Sequence, residues 1–363
     1  MKFSDSSGYI YDNSNTINEN IRQDLKAPLI PPNSVLLAKI GEAIRLNRRS
    51  LNSVPCCIDN NLVAFVSDSI FFKYAYYWSQ TINLYEYARA TTVPAIRKSD
   101  LENLIIPLPP LAEQKRIVAQ IDFLFEKLDT ASNALKSILR QIEFFNIYLL
   151  KEAFKGALTA KFRQIRGISK KDWQEKTLGE IAEIIMGQSP KGDSTTTDSN
   201  YTPLIGGAAD IGELFPKISR YTKTPTKLTT PEDVIICVRA TLGKPIFSDG
   251  VYCLGRGVAA IRPRAALKEF LRYAFINFEQ YFYDNAAGST FSQISSTKLK
   301  NFPINLPPLA EQKEIARLLD NLLTKENRVK EIAEKSLQQI DALKKNILAR
   351  AFRGELGTND LEN

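Results

Sequence analysis

The sequence predicts a mixed α/β protein in which two small α/β modules are separated by two long antiparallel helices forming an intramolecular coiled coil. Three observations carry this. Leu108-Pro109-Pro110-Leu111-Ala112-Glu113-Gln114-Lys115 returns letter for letter as Leu306-Pro307-Pro308-Leu309-Ala310-Glu311-Gln312-Lys313, at an offset of 198 residues. Each copy opens a run of helical periodicity that closes on a second matched motif at the same offset, Ala153-Phe154-Lys155-Gly156-Ala157-Leu158 and Ala351-Phe352-Arg353-Gly354-Glu355-Leu356. Ahead of each copy lies a more diverged stretch of strand-like runs and one helical run. Self-similarity at a fixed offset marks a duplicated structural unit.

The elements follow in order. Residues 1–107 form the first module, 108–158 the central helix, 159–305 the second module, 306–356 the C-terminal helix and 357–363 a tail. Val234 to Val238 and Val258 to Ile261 are β-rich, and Leu267 to Tyr281 reads as a helix with Phe72 to Tyr85 as its counterpart. Pro32-Asn33-Ser34-Val35-Leu36-Leu37 resembles Pro231-Glu232-Asp233-Val234-Ile235-Ile236, and Leu101-Glu102-Asn103 resembles Leu299-Lys300-Asn301, so the module itself is duplicated.

In the first helix Ile117, Ile121, Leu124, Phe125, Leu128, Leu135, Ile138, Leu139 and Ile142 make one apolar stripe, matched in the second by Ile315, Leu319, Leu322, Leu323, Val329, Ile332, Leu337, Ile340, Leu343 and Ile347. The Pro-Pro pair makes a stiff entry, Glu and Gln in the first turn suit its exposed N–H groups, and Gly156 and Gly354 suit helix C′ positions. A helix of about 44 residues spans roughly 65 Å, and a single stripe that long needs a partner. Each copy supplies one for the other; a dimerising coiled coil is the alternative.

Composition excludes several classes. Lys+Arg exceeds Asp+Glu by 48 to 40, and residues 159–308 carry +6 of the net +8, so a polyanion partner is expected at the second module. There is no histidine, which removes the commonest general base. Cys56, Cys57, Cys237 and Cys253 show no metal-ligand spacing, so no metal is expected and reduced thiols of a cytoplasmic protein are the natural reading. The N-terminus lacks an apolar signal core and no run is long enough to span a membrane. Glycine-rich nucleotide loops and an Asn-Pro-Pro-Tyr or Asp-Pro-Pro-Tyr tetrad are absent, so neither an enzyme nor a cofactor of its own is expected.

The repeated Leu-Pro-Pro-Leu-Ala-Glu-Gln-Lys helix start, the Ala-Phe-(Lys/Arg)-Gly-x-Leu close, and the second module's opening with Trp173, Leu178-Gly179-Glu180-Ile181 and Gly187-Gln188-Ser189-Pro190 resemble the specificity subunit of a Type I restriction-modification enzyme. The resemblance covers most of the chain. It implies two target-recognition domains, each reading one half of a bipartite double-stranded DNA site, with helices that set the spacing and dock two methyltransferase subunits. Restriction subunits would join through these. The chemistry, with S-adenosylmethionine and ATP, would belong to the partners. One departure stands out: the first module has no counterpart of Trp173, Leu178-Gly179-Glu180 or Gly187-Gln188-Ser189-Pro190, and some 25–30 residues are expected to be missing, through truncation or a misassigned start. A chain that only docks methyltransferase subunits is therefore the competing reading.

Candidate DNA contacts in the second module are Gln188, Ser189 and Lys191 in a Gly/Pro loop, Ser289, Thr290 and Gln293 after Gly288, and the cations Arg220, Lys223, Lys227, Arg239, Lys244 and Arg256. Gln suits adenine, hydroxyls and cations suit phosphate. Arg239 ranks first among the cations because it follows a buried-strand run and precedes Leu242-Gly243-Lys244. In the first module the analogous set is Lys39, Arg45, Arg48, Arg49, Arg97 and Lys98. Each also reads as an ordinary solvated charge or turn residue. Tyr74, Tyr76, Tyr77 and Trp78 could stack on bases, but core packing is the preferred reading.

Overall fold

The computed structural model describes residues 8–10, 16–89, 93–288 and 292–356. The chain divides into two compact units, Met1–Ser137 with Ile332–Asn363, and Ile138–Glu331. The long helices run over Leu111–Phe154 and Leu309–Ala351, so each unit combines one sheet-containing module with part of both helices.

In the first unit, β1 (Tyr9–Ile10), β2 (Val35–Ala38), β3 (Arg49–Asn52) and β4 (Leu62–Phe65) form a sheet in the order β1-β3-β2-β4. β2 is buried along its whole length, which is why its four residues are all apolar. The helix Phe72–Gln80 closes the core over this sheet with Ala75, while Tyr74 and Tyr77 of the same helix face Ile117, Val118 and Ile121 of the first long helix. Leu348 and Ala351 of the second long helix join that cluster, and Lys344 Nζ reaches Asp129 Oδ1 at 2.6 Å. Moving forward along one helix meets the other in reverse, so the two segments pair antiparallel.

In the second unit the strands are β5 (Gln174–Thr177), β6 (Ala182–Met186), β7 (Thr195–Thr196), β8 (Thr202–Ile205), β9 (Tyr221–Thr222), β10 (Val234–Cys237), β11 (Gly243–Phe247), β12 (Cys253–Leu254), β13 (Val258–Pro263) and β14 (Pro303–Leu306). They make sheets in the orders β11-β10-β13-β6 and β12-β8-β9-β7 and a β14-β5 ribbon. Phe270 and Phe275 of the helix Lys268–Asn277 are fully buried in one core with Phe282 and Phe302, and Phe282 stacks on Phe302. Leu149, Leu150 and Phe154 share this core with Ile315 and Leu319, again an antiparallel pairing.

The identical letters at each helix start have a physical reason that periodicity did not show. Gln114 and Gln312 are buried, not exposed first-turn residues. Gln312 Oε1 accepts from Leu267 N at 2.9 Å and its Nε2 donates to Pro307 O at 2.8 Å; Gln114 does the same with Phe71 N and Pro109 O. Each glutamine nails its helix to the first turn of the module helix. Tyr77 and Tyr273 repeat the device, donating to Asp122 and Asp320 respectively. Glu311 is fully buried and accepts from Thr159 Oγ1, Arg163 Nη1 and Trp173 Nε1 at 2.6, 2.6 and 2.9 Å.

The sheets of the two units match in register. Val35, Leu36, Leu37 and Ala38 face Phe65, Ala64, Val63 and Leu62; Val234, Ile235, Ile236 and Cys237 face Ile261, Ala260, Ala259 and Val258. Leu51 N donates to Gly8 O as Phe247 N donates to Leu214 O. Gly8 thus corresponds to Leu214. No described residue of the first unit corresponds to β5 or β6.

Candidate nucleic-acid interface

The second unit gathers its candidates through strand direction. β6 and β10 end, and β11 and β13 begin, at one edge of their antiparallel sheet. Gln188 and Ser189 follow β6, Arg239 follows β10, Lys244 opens β11 and Arg256 precedes β13. All five are exposed, although Val234 to Val238 behind Arg239 are buried. Ser189 Oγ accepts from Arg256 N and Nε at 3.2 Å each. Gly187 N donates to Val258 O, and a Cβ on Gly187 would stand 2.1 Å from Gly255 O, so glycine is required for the loop to lie on its neighbour. Gln188 N donates to Leu254 O, and its carbonyl accepts from Thr226 Oγ1. Both backbone groups of Gln188 are engaged while the residue itself is exposed.

Arg239 bridges to Gln293, whose N–H and C=O exchange hydrogen bonds with Ala287. Ala240 and Lys244 hold left-handed φ values of 60° and 48°, an uncommon conformation for side-chain-bearing residues. Ser289 and Thr290 lie outside the described residues.

Arg220 and Lys223 flank the same surface. The Arg220 guanidinium donates to Asp210 Oδ2 at 2.9 Å, and the buried Asp210 also accepts from Gly206 N and Gly207 N. Gly255 N and Gly257 N reach Ile205 O and Gly206 O, so this cluster adjoins Arg256. Lys223 N donates to Ser194 O and Ser194 N to Lys191 O, linking those two lysines; Lys223 Nζ lies 5.5 Å from the Tyr201 ring centroid. Asp210 and Thr226, which hold these loops, carry no sequence signal beyond being polar residues between strands.

The first unit places Lys39 at the end of β2 and Arg48 at the start of β3, the corresponding sheet edge, with Arg45 in the intervening helical turn. Arg45 pairs with Glu42 at 3.8 Å and lies over Tyr85. Arg97 is exposed at a helix N-cap, and Lys98 pairs with Glu102. Arg49 departs from expectation. It is 9% exposed, and its Nε and Nη2 donate to Asn47 O and Ile82 O, so its guanidinium braces the loop behind β3. Burial pulls its pKa down to about 10. Tyr74, Tyr77 and Trp78 are core residues. Where the second unit places Arg239, the first places Ile40, in the matching bridge to Ala95. Among the described residues no cluster of potential metal ligands occurs, the four cysteines are free thiols, and no helix is long and apolar enough to cross a membrane.

A family model of the type I restriction modification DNA specificity domain matches residues 2–140 and 170–340. A Methanocaldococcus jannaschii protein, provisionally assigned as the type I restriction enzyme MjaX specificity subunit, is 32% identical over 289 residues, covering 76% of this chain and 65% of that protein. The Escherichia coli EcoBI specificity subunit is 25% identical over 294 residues, covering 74% and 61%. The chain thus spans somewhat under two thirds of the length of these relatives. Among solved structures, the HsdS subunit from Thermoanaerobacter tengcongensis aligns at 28% identity and a TM-score of 0.61, over 90% of this chain and 82% of that one. A chain from a structure concerned with assembly and conformational transition of the type I R-M system aligns at 28% identity and a TM-score of 0.78, over 90% and 83%. Two matched copies covering most of the sequence establish that this chain belongs to the type I restriction-modification DNA specificity family.

Proposed function

We propose that the chain is a non-catalytic specificity subunit that reads double-stranded DNA through the loop edge of each module, one half of a bipartite target per module. The observation that carries this is the joining of Gln188, Ser189, Arg239, Lys244, Arg256 and Gln293 at one sheet edge, in the part of the chain that holds +6 of its net +8. Such a surface has the two components that sequence reading needs. Exposed Arg and Lys neutralise phosphates and position the duplex, while Gln and Arg side chains can make bidentate contacts to adenine and guanine edges. The long helices would space the two readers and dock two methyltransferase subunits, with restriction subunits joining through them. Their matched length and matched buried glutamines support a register-holding role.

A second reading, a subunit that docks methyltransferase partners while reading only one half-site, is favoured by Ile40 at the Arg239 position. One experiment separates them. The chain is combined with its genomic methyltransferase partner and S-adenosylmethionine, and methylated adenines are mapped on random DNA. A bipartite motif supports reading by both modules. A single half-site, or a palindrome of one half, supports the second reading. Assembly without methylation reduces the chain to a docking scaffold, and failure to assemble overturns both.

A further inference from the structure

The exposed cations of the second unit's loop surface are not alike. Lys191, Lys223, Arg239, Lys244 and Arg256 form no ion pair among the described residues, whereas Arg220 Nη2 lies 2.9 Å from Asp210 Oδ2. That carboxylate is held in place. Asp210 is 2% exposed, it closes the helical turn Ala208–Asp210, and the same Oδ2 accepts from Gly206 N at 2.7 Å and Gly207 N at 3.3 Å. Arg220 itself precedes β9, and its carbonyl accepts from Leu204 N at 2.9 Å. Both ends of the arginine are therefore tied.

Glycine makes the seat. A Cβ on Gly206 would stand 2.7 Å from Arg220 Nη2, so the guanidinium rests where any other residue would put a side chain. Gly206 is packed in turn by Gly255 and Gly257, whose Cβ atoms would stand 2.9 Å from Gly206 Cα and 2.3 Å from Gly206 O. Those two glycines flank Arg256, so the seat adjoins the loop edge. The Arg220 side chain is nonetheless 47% exposed, against 3% for that of Asp210. A guanidinium carries five N–H donors, and only the bond to Asp210 is formed among the described residues, which leaves the others toward solvent.

A held fork and a loose cation suit different tasks. A phosphate contact needs charge, which a flexible side chain supplies. A bidentate contact to O6 and N7 of guanine needs two donors at a fixed angle, and fixing them beforehand removes the cost of ordering them. The buried carboxylate cancels the charge of Arg220 and keeps its fork. We propose that Arg220 is a base-reading residue of the second module, selecting one guanine of its half-site, with Asp210 and Gly206 as the positioning residues that aim it. The inference rests on the reading of the chain as a DNA specificity subunit and adds a residue and the base it selects. Because the Arg220–Asp210 pair is neutral, Arg220 contributes specificity without contributing to the salt dependence of binding.

The test uses the full chain assembled with its methyltransferase partner, its target mapped by methylation, and duplexes carrying each base in turn at every target position. Arg220→Lys keeps the charge and loses the fork. Gly206→Ala keeps Arg220 and displaces its guanidinium, the far end of a flexible side chain. Both should lower discrimination for guanine at one and the same position by about tenfold, with discrimination elsewhere, the salt slope and the thermal unfolding midpoint retained. Replacing that guanine by 7-deazaguanine, which lacks the N7 acceptor, should weaken binding by the parent and leave binding by Arg220→Lys unchanged. Uniform loss across sequences, from a phosphate contact or a purely structural ion pair, overturns the inference. So does unchanged discrimination in either variant, or loss at different positions in the two. An assembled complex that methylates without sequence preference overturns it together with the reading on which it rests.

Discussion

At the scale of single residues, the adjacent pair Arg48 and Arg49 shows how one backbone step separates an exposed candidate contact from a structural residue. Arg49 faces inward from β3 and braces Asn47 and Ile82 carbonyls, whereas Arg48 is exposed at the sheet edge. Removing this buried guanidinium takes a donor from Asn47 O, leaves Ile82 O with Asn47 Nδ2 alone and opens a cavity, the last a recognised route to a large loss. Arg49→Ala is expected to cost about 2–3 kcal/mol in urea unfolding of the first unit. Arg48→Ala is expected to stay within about 0.5 kcal/mol of the parent while weakening duplex binding. The sequence did not show which arginine is buried, because β3 is buried at all four of its positions and only its starting point separates Arg49 from Arg48.

At the scale of elements, the ends of the long helices supply an internal control. Gly156 and Gly354 hold φ values of 78° and 75° at equivalent positions. A Cβ at Gly156 would meet Arg163 Nη1 at 2.8 Å and Trp173 at 3.1 Å, against open space at Gly354. Gly354→Ala should cost only the left-handed backbone penalty, about 1 kcal/mol. Gly156→Ala should cost more, about 2 kcal/mol or above, because it also displaces groups tied to the buried Glu311.

The second long helix carries a further test. Both carboxylate oxygens of Glu326 are shielded from solvent and lack a hydrogen-bond partner, and burial raises its pKa above 4.5. A raised folded-state pKa means the folded chain binds the proton more tightly than the unfolded chain. Stability therefore declines as pH rises from about 4.5 through the raised value, and the loss persists at neutral pH. Glu326→Leu should raise the melting temperature at pH 7 and lose that advantage toward pH 4, read as melting temperature against pH.

For the whole molecule, the uneven charge predicts how affinity responds to salt. Lys191, Lys223, Arg239, Lys244 and Arg256 are five exposed cations on one surface of the second unit. If each neutralises one phosphate, log K against log salt should fall with a slope of about −4.5, and Arg239→Ala should make it shallower by about 0.9. A salt-independent affinity would remove this surface from the interface.

The sequence by itself determined the duplication, the two long helices and the sheet strands that flank them. Those signals are local: exact recurrence, three-to-four-residue periodicity, and apolar runs at Val234 and Val258. It also identified most of the basic residues at the loop edge, because exposed Arg and Lys near strand ends need no tertiary context to be named. Only the tertiary structure decided which charges are available. It turned Arg49 inward, paired Arg220 with Asp210 and brought Ser189 beside Arg256 across 67 residues of chain. It also explained the repeated Glu-Gln at each helix start as buried hydrogen-bonding groups rather than solvated first-turn residues. Hydrogen-bond partners distant in sequence and the pairing of strand edges are long-range properties, and no local pattern encodes them.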